Sequence, residues 1–470
     1  MKMLINGDWV DAQQTQNVTN PYDQSVIDTV PQGTREHMLE AIAGAEQGLK
    51  TSRNLPLHQR STILSRAAQL ILERQDDFAR TMSQEGSKTL KEAKSEVGRA
   101  AHTLRIAAEE ANRVLGEQIA FDRYPGGENR FGYYVYEPVG IVAAITPYND
   151  ALNLVCHKVG PAIAGGNSII VKPSNHTPLT ALKLAEVLLE AGLPKDILSV
   201  VTGPSSEVGE TLVRDERVRM ISFTGGVKTG THISQAAGLK ILSMELGSNS
   251  PVLVTASSDI QKAAESVVDG AFAAVGQNCI GVQRVYVDET IYDDFKQRVI
   301  ELTKPYKVGS QLADDTDVGP MISSQEADRV MEWIQEAQDQ GAQVLVGGER
   351  EGNLIQPTWL DNVPSTARLA YDEVFGPVAI MKPYKTLDEA IEHANAVDYG
   401  LHSAIFTRNV NEAFYAVREL DSGSVMVNDS TDYRVDNMPF GGRKKSGIGR
   451  EGVRSALEEM IEPKVVCFNL

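Results

Sequence analysis

Cysteine is scarce in this chain. Cys156, Cys279 and Cys467 are the only three in 470 residues. That is too few for a disulfide framework and suits a reducing compartment, so a cytoplasmic location is expected. Long apolar runs are missing as well. No stretch of ~18 apolar residues occurs, which excludes a membrane-spanning helix. The opening Met1-Lys2-Met3-Leu4-Ile5-Asn6-Gly7-Asp8-Trp9 turns before any apolar run of signal-peptide length. Positive charge is in deficit, with 45 Lys and Arg against 63 Asp and Glu and a net charge of −18. A surface that acidic repels nucleic-acid phosphate and anionic lipid, so neither is expected as a partner. A small anionic ligand stays possible, because a pocket can be locally basic. There is no P-loop, no H-E-x-x-H and no C-x-x-C, and the eight histidines are scattered, so no metal is expected.

What is present is an ordinary globular composition, 42% apolar and 23% charged. At ~150 residues per domain the length suits two large domains and a small appendage. Residues 35–118 carry apolar positions at three- and four-residue spacing, as in Leu64, Ala67, Leu70 and Ile71, and predict helices with a break at Asn54-Leu55-Pro56. Residues 117–139 predict a hairpin around Pro125-Gly126-Gly127-Glu128-Asn129. From Gly140 short apolar strands alternate with helices: 140–146, 168–172, 198–202, 219–223 and 240–246. That alternation indicates a parallel sheet covered on both faces, with ligands beyond the carboxyl ends of its strands. A second series runs from about 251 to 435, with strands at 252–255, 284–287, 378–382 and 424–428. The closing Pro463–Phe468 reads as an apolar strand with no neighbour in the sequence to pair with, so a partner subunit is the expected cover.

Gly447-Ile448-Gly449-Arg450-Glu451-Gly452 satisfies G-x-G-x-x-G, but it follows no strand and no acidic residue ends a second strand ~20 positions on. It reads as a turn leading into a helix. Cys279 is different. It lies in Val275-Gly276-Gln277-Asn278-Cys279-Ile280-Gly281, where glycines let backbone amides approach, as a nucleophile would require. A buried structural thiol is the alternative. Glu245 ends the apolar strand Leu242-Ser243-Met244-Glu245, where burial would raise it toward a usable base; a paired structural carboxylate is the alternative. Thr146-Pro147-Tyr148-Asn149, Val171-Lys172-Pro173-Ser174 and Phe223-Thr224-Gly225-Gly226 each follow a predicted strand and together suit one nucleotide crevice. Asn149 offers an amide donor for an oxyanion, and Lys172 a charge for ribose or phosphate.

The order of these stretches, with Glu245–Gly247, Gly276–Cys279, Glu373-Val374-Phe375-Gly376-Pro377 and Pro439-Phe440-Gly441-Gly442, resembles the aldehyde dehydrogenase superfamily over nearly the full length. The resemblance implies an α/β fold of two doubly wound parallel-sheet domains plus a small β oligomerisation element. It implies a nucleotide-binding domain at 1–117 and 140–246, a catalytic domain at 247–440, and an oligomerisation element at 118–139 and 455–470 that builds a homodimer or homotetramer. It implies NAD or NADP as cofactor and an aldehyde as substrate. Cys279 would form a thiohemiacetal and then a thioester, with Asn149 and the Cys279 amide holding the oxyanion, Glu245 activating water and Lys158 nearby. Lys172 and Ser174 match the adenosine-ribose contacts, Gly225 and Gly226 the turn near the pyrophosphate, and Glu373 and Phe375 the nicotinamide-ribose side. Thr146, Pro147, Tyr148, Phe223, Thr224, Leu246 and Gly247 complete the expected cofactor surface. Gly226 stands where the family often has serine, and Ser248 replaces a common glycine. NAD-preferring members often carry glutamate where this chain has Asn175, which does not repel a 2′-phosphate, so NADP is admissible.

For the substrate, the resemblance places His157, Arg434 and Arg105 near the mouth of the site. Histidine donates a hydrogen bond, and arginine suits a carboxylate, sulfonate or phosphonate. The stretches around His157, Phe223–Val227 and Arg434 look most like the lactaldehyde, non-phosphorylating glyceraldehyde-3-phosphate and phosphonoacetaldehyde branch. A short polar aldehyde, hydroxylated or anion-bearing, is therefore expected, with sulfoacetaldehyde as a further example. The alternatives are a succinate-semialdehyde-type enzyme, a coenzyme A-acylating one, which would typically lack the Glu245 base, and a cysteine hydrolase, which would need a histidine beside Cys279.

Overall fold

The computed structural model describes residues 1–470. Two twisted, mostly parallel sheets carry it. The first runs, edge to edge, Asp8–Val10, Met3–Ile5, Leu198–Val200, Ser168–Lys172, Ile141–Ile145, Val218–Thr224, Ile241–Glu245 and Gly447–Ile448. Its five central strands are parallel, and its edges join antiparallel. These strands are apolar almost throughout because helices bury both faces. One face packs on Leu57–Glu73, Leu90–Ala111, Asn153–Gly165 and Pro178–Glu190, and the other on Arg35–Asn54 and Val227–Ala236. The chain order of the central strands reverses between Ile141–Ile145 and Val218–Thr224. A ligand crevice opens at such a reversal, and here it puts Thr146–Asn149 beside Thr224–Gly226.

The second sheet runs Gln343–Val346, Thr358–Asp361, Val378–Tyr384, Val282–Asp288, Ser250–Val254, His402–Phe406 and Ser424–Val427, parallel except for its first pair. Its core surrounds the fully buried Trp359, which meets Phe272 edge-on at 5.8 Å and donates its indole N–H to Thr303 Oγ1 at 3.1 Å. Two inner strands of this sheet, Thr358–Asp361 and His402–Phe406, escape the apolar pattern because they are short and open on polar residues.

One expectation needs correcting. The terminal strand, Ile461–Asn469, does have a partner in its own chain. It pairs antiparallel along its whole length with Arg130–Pro138, from Ile461↔Pro138 to Asn469↔Arg130. The two lie more than 300 residues apart in sequence, so only the tertiary return of the chain brings them together. Glu117–Ile119 completes this three-stranded sheet. The preceding helix, Val453–Glu459, packs into the first core through Val453 and Leu457. No helix is long and apolar enough to cross a membrane.

Candidate active site

Where the carboxyl ends of the first sheet face the second unit lies a cavity of about 260 Å³. Cys279, Asn149, Glu245 and Thr224 all line it, so four expected site residues from two units meet at one place. The strand end delivers Glu245, the turn after Ile141–Ile145 delivers Asn149, and the turn after the helix Ile260–Phe272 delivers Cys279. That last turn is unusual. Ala274, Val275 and Gly276 are consecutive left-handed residues, with φ of 52°, 63° and 63°. A side chain at Gly276 would collide with the Gly376 carbonyl, 2.2 Å from where its Cβ would sit. Glu92, on the helix Leu90–Ala111, accepts the Ala274 amide at 2.7 Å and so pins the turn. One turn further on, Glu96 accepts the amides of Leu152 and Asn153 at 2.9 and 3.0 Å and pins the segment after Asn149.

The electrostatics are those of a poorly hydrated site. Glu245 is 3% exposed, and neither carboxylate oxygen has a hydrogen-bond partner. Burial and the nearby Glu451 charge hold its carboxyl well above the usual range. Burial also works to raise Glu451, but the Lys158 and Arg434 cations overcome it and hold that carboxyl at about 2. Glu451 accepts from Lys158 Nζ at 3.4 Å and from Arg434 Nη2 at 2.8 Å. Lys158 also donates to Ser222 Oγ at 3.1 Å; it supports the cavity from behind and does not line it. The Cys279 thiol is pushed up to about 12, first by burial and then by the Glu373 carboxylate, with Arg434 opposing.

The residues expected to hold a nucleotide gather along the strand ends. Lys172 Nζ donates to Asn175 Oδ1 at 3.0 Å, and burial lowers its ammonium to about 8. Ser174 Oγ accepts the His176 amide at 3.2 Å. Gly226 caps the helix Val227–Ala236, whose first turn holds no acidic residue, and a Cβ there would meet nothing within 4 Å. Such an open helix start suits phosphate. Gly225 lies where a Cβ would strike the Phe223 ring at 2.6 Å. Glu373 accepts the Ser248 amide at 2.8 Å, and its other oxygen lies 2.4 Å from where a Gly247 side chain would begin, so a side chain there would push the carboxylate aside. Tyr148 meets both Phe375 and His176 edge-on at 5.9 Å. Leu246 donates its amide to Ser446 O, and its side chain packs over Gly230. A free carboxylate, an ammonium and an open helix start in one crevice fit a dinucleotide's ribose hydroxyls and phosphates.

Two expected substrate contacts are corrected. His157 is fully buried and does not line the cavity; its Nε2 lies 3.1 Å from Asp436 Oδ1. Burial and the Arg434 charge lower its imidazole, so it stays neutral and serves as support. Arg105 is exposed and lines no part of the cavity. Its helix presents Arg99 there instead, because residues six apart point to different faces. Arg434 does line the cavity and stacks 3.7 Å over the Phe440 ring. Arg99 and Glu451 escaped the sequence reading. The acidic residue inside the glycine-rich 447–452 stretch was a visible signal: Gly447–Ile448 pairs antiparallel with Met244–Glu245, and that turn carries Glu451 to the cavity.

Similarity to known proteins is extensive. The family described as "Aldehyde dehydrogenase family" matches residues 9–466. The chain is 47% identical to aspartate-semialdehyde dehydrogenase 1 of Pseudomonas canavaninivorans, over 96% of each chain. It is 43% identical to 3-sulfolactaldehyde dehydrogenase of Priestia megaterium, over 100% of this chain and 98% of that one. Among solved structures, the glyceraldehyde-3-phosphate dehydrogenase GapN of Methanocaldococcus jannaschii, complexed with NADP, is similar with a TM-score of 0.93. Identity there is 39%, over 97% of this chain and 100% of that one.

The raised thiol makes a direct prediction. Iodoacetamide should label the exposed Cys467 readily, Cys279 slowly and the buried Cys156 not at all. Labelling of Cys279, followed by peptide mass spectrometry in the protein without cofactor, should climb about tenfold per pH unit to at least about pH 10. A plateau below about pH 9 would show that the thiol is not held up.

Proposed function

The chain belongs to the aldehyde dehydrogenase family, and from that premise we propose that it oxidises a short polar aldehyde, hydroxylated or anion-bearing, to its carboxylic acid with NAD or NADP. One observation carries the substrate class: only six of the nineteen residues lining the cavity are hydrophobic, and Arg99 and Arg434 stand among the polar ones. A long-chain or aromatic aldehyde would desolvate those groups without return. The names of the relatives, which act on sulfolactaldehyde and aspartate semialdehyde, lie in the same class.

Cys279 supplies the sulfur that attacks the carbonyl carbon. Asn149 and the Cys279 amide hold the oxygen as it gains charge. A dinucleotide held in the crevice would supply the hydride acceptor that the oxidation needs. Glu245, a carboxyl lifted above its ordinary range, takes the proton of the water that releases the acid from the cysteine thioester. Lys158 and Arg434 hold Glu451 ionised, and that charge tunes Glu245. For the cofactor, Lys172, Ser174 and Asn175 take the adenosine ribose, Gly225 and Gly226 the phosphates, and Glu373, with Phe375 beside it, the nicotinamide ribose. A hydrolase reading has no support, since no histidine lines the cavity, and Glu245 favours water over coenzyme A as the acceptor.

Cys279→Ala should abolish turnover and leave dinucleotide binding within about twofold. Glu245→Gln should slow release of the acid more than the first hydride transfer, giving a burst of reduced cofactor in stopped-flow absorbance. Equal slowing of both phases would count against the assignment. Across a panel of aldehydes, hexanal or benzaldehyde turning over faster than every short polar aldehyde would sink the substrate class.

Both cofactors should serve. Asn175 carries no charge and lies against Lys172, so a 2′-phosphate meets a cation and no carboxylate. Asn175→Glu should shift the NAD to NADP ratio of kcat/KM toward NAD by about tenfold or more, and a wild-type enzyme already rejecting NADP a thousandfold would refute the argument.

The working unit is a homodimer or homotetramer in the cytoplasm. Three free cysteines suit the reducing compartment. The small sheet exposes Phe131, Val135 and Phe468 on one face and Tyr136 and Val465 on the other, apolar side chains that a partner would cover. Deleting residues 463–470 should give monomers or aggregates in sedimentation; an active monomer of the full chain would contradict the assembly.

A further inference from the structure

Two guanidinium groups line the cavity that Cys279 opens on, Arg99 and Arg434. Each has a buried Nε with no hydrogen-bond partner. Those Nε atoms are shielded, but each guanidinium bonds only through Nη2 and leaves its Nη1 without a hydrogen bond, and the Arg434 side chain that carries it is 6% exposed. Both groups are held from behind. Arg434 Nη2 donates to Glu451 at 2.8 Å, and Arg99 Nη2 donates to Asp436 Oδ1 at 2.9 Å. Asp436 is itself a hub. The same oxygen accepts from Asn153 Nδ2 at 3.0 Å and faces His157 Nε2 at 3.1 Å.

The positive charge is already matched, however. Glu451 neutralises Arg434 and is shared with Lys158; Asp436 neutralises Arg99, with Asp150 3.8 Å away. Lys88 pairs with both Glu96 and Asp150. Three carboxyl groups on the cavity wall, Glu92, Glu245 and Asp432, are bonded to no cation. Glu92 bonds to Thr89 and the Ala274 amide, and Asp432 accepts only from the Ser430 hydroxyl. The wall therefore offers two guanidinium groups with Nη1 unbonded, and more negative charge than positive. One negative charge can be received by the donors; a second would face carboxylates with no free cation to answer it.

Resting on the oxidation of a short polar aldehyde argued above, we infer that the preferred substrate carries a monoanionic head group, a carboxylate or a sulfonate, and that a dianionic phosphate or phosphonate is disfavoured. Asp436 is the positioning residue of this selection: it orients Arg99 and cancels its charge.

Sulfoacetaldehyde and phosphonoacetaldehyde test this directly, since they match in size and differ in charge. At about pH 7.5 the ratio of kcat/KM should favour the sulfonate by about tenfold, the order of one unpaired unit charge. Lowering the pH to about 5.5 adds one proton to the phosphonate dianion and makes it a monoanion, and the ratio should shrink severalfold. Both substrates are read on one enzyme, so its own titrations largely cancel. Asp436→Asn removes one negative charge and should narrow the ratio at about pH 7.5 in the same sense; if that variant does not fold, the pH series decides alone. Equal or faster use of the phosphonate at about pH 7.5, or a ratio that ignores pH, overturns the inference and leaves aldehyde oxidation standing. Oxidation of neither compound, with hexanal or benzaldehyde preferred, overturns the proposed function instead.

Discussion

Glu245 and Glu451 line one poorly hydrated cavity, and two carboxylates so placed cannot both ionise without severe cost. The surrounding cations decide between them. Lys158 and Arg434 are bonded to Glu451 and neither is bonded to Glu245, so charge is favoured on Glu451 over Glu245. Three separate parts of the chain supply this arrangement. Lys158 comes from the helix Asn153–Gly165, Arg434 from the segment before Phe440, and Glu451 from the turn that begins by pairing with the strand of Glu245. The same charges reach Cys279, whose thiol Glu245 and Glu451 raise and Arg434 lowers. The protonation of Glu245 and Cys279 is thus one shared property of the cluster.

The helix Leu90–Ala111 supplies the mechanical counterpart. Glu92 and Glu96 stand one turn apart and so share a face. One holds the turn that leads to Cys279, and the other the segment that follows Asn149. Left-handed backbone at Ala274 and Val275 costs of order 1–3 kcal/mol each and survives only where its surroundings dictate it. The Glu92 carboxylate and the absence of a side chain at Gly276 are those surroundings. Glu96 also sits at the start of the helix Asn153–Gly165, where a carboxylate complements the helix dipole. Cys279 and Asn149 are positioned against one rigid element even though they belong to different sheets.

The motifs legible in the sequence are those whose chemistry is local. A cysteine between glycines, a glutamate ending an apolar strand and polar turns after strands each announce themselves within five or six residues. The cavity brings Cys279, Glu245 and Asn149 together as that pattern anticipates. The central strands of the first sheet and several of the second are readable for the same reason, since a buried parallel strand is a continuous apolar run, while Thr358–Asp361 and His402–Phe406 are not. Arg99 and Asp436 were not legible as site residues, since nothing beside them in the sequence says which of many surface-like charges will be buried; for Glu451 the glycine-rich turn around it was the one local signal. His157 and Arg105 show the converse, since a neighbour in sequence or on a helix need not share a face.

The sequence by itself determined two doubly wound sheets, a cysteine nucleophile candidate, a carboxyl able to act as base and a crevice for a dinucleotide. Periodicity and turn chemistry are short-range properties, and each residue carries them wherever the chain goes. Tertiary structure alone decided which charges face one another. It set Glu451 against Lys158 and Arg434, Asp436 against Arg99 and His157, and the last strand against Arg130–Pro138. The physical reason is that Coulomb energy and desolvation depend on distance and burial in space, and residues hundreds of positions apart acquire both only when the chain has folded.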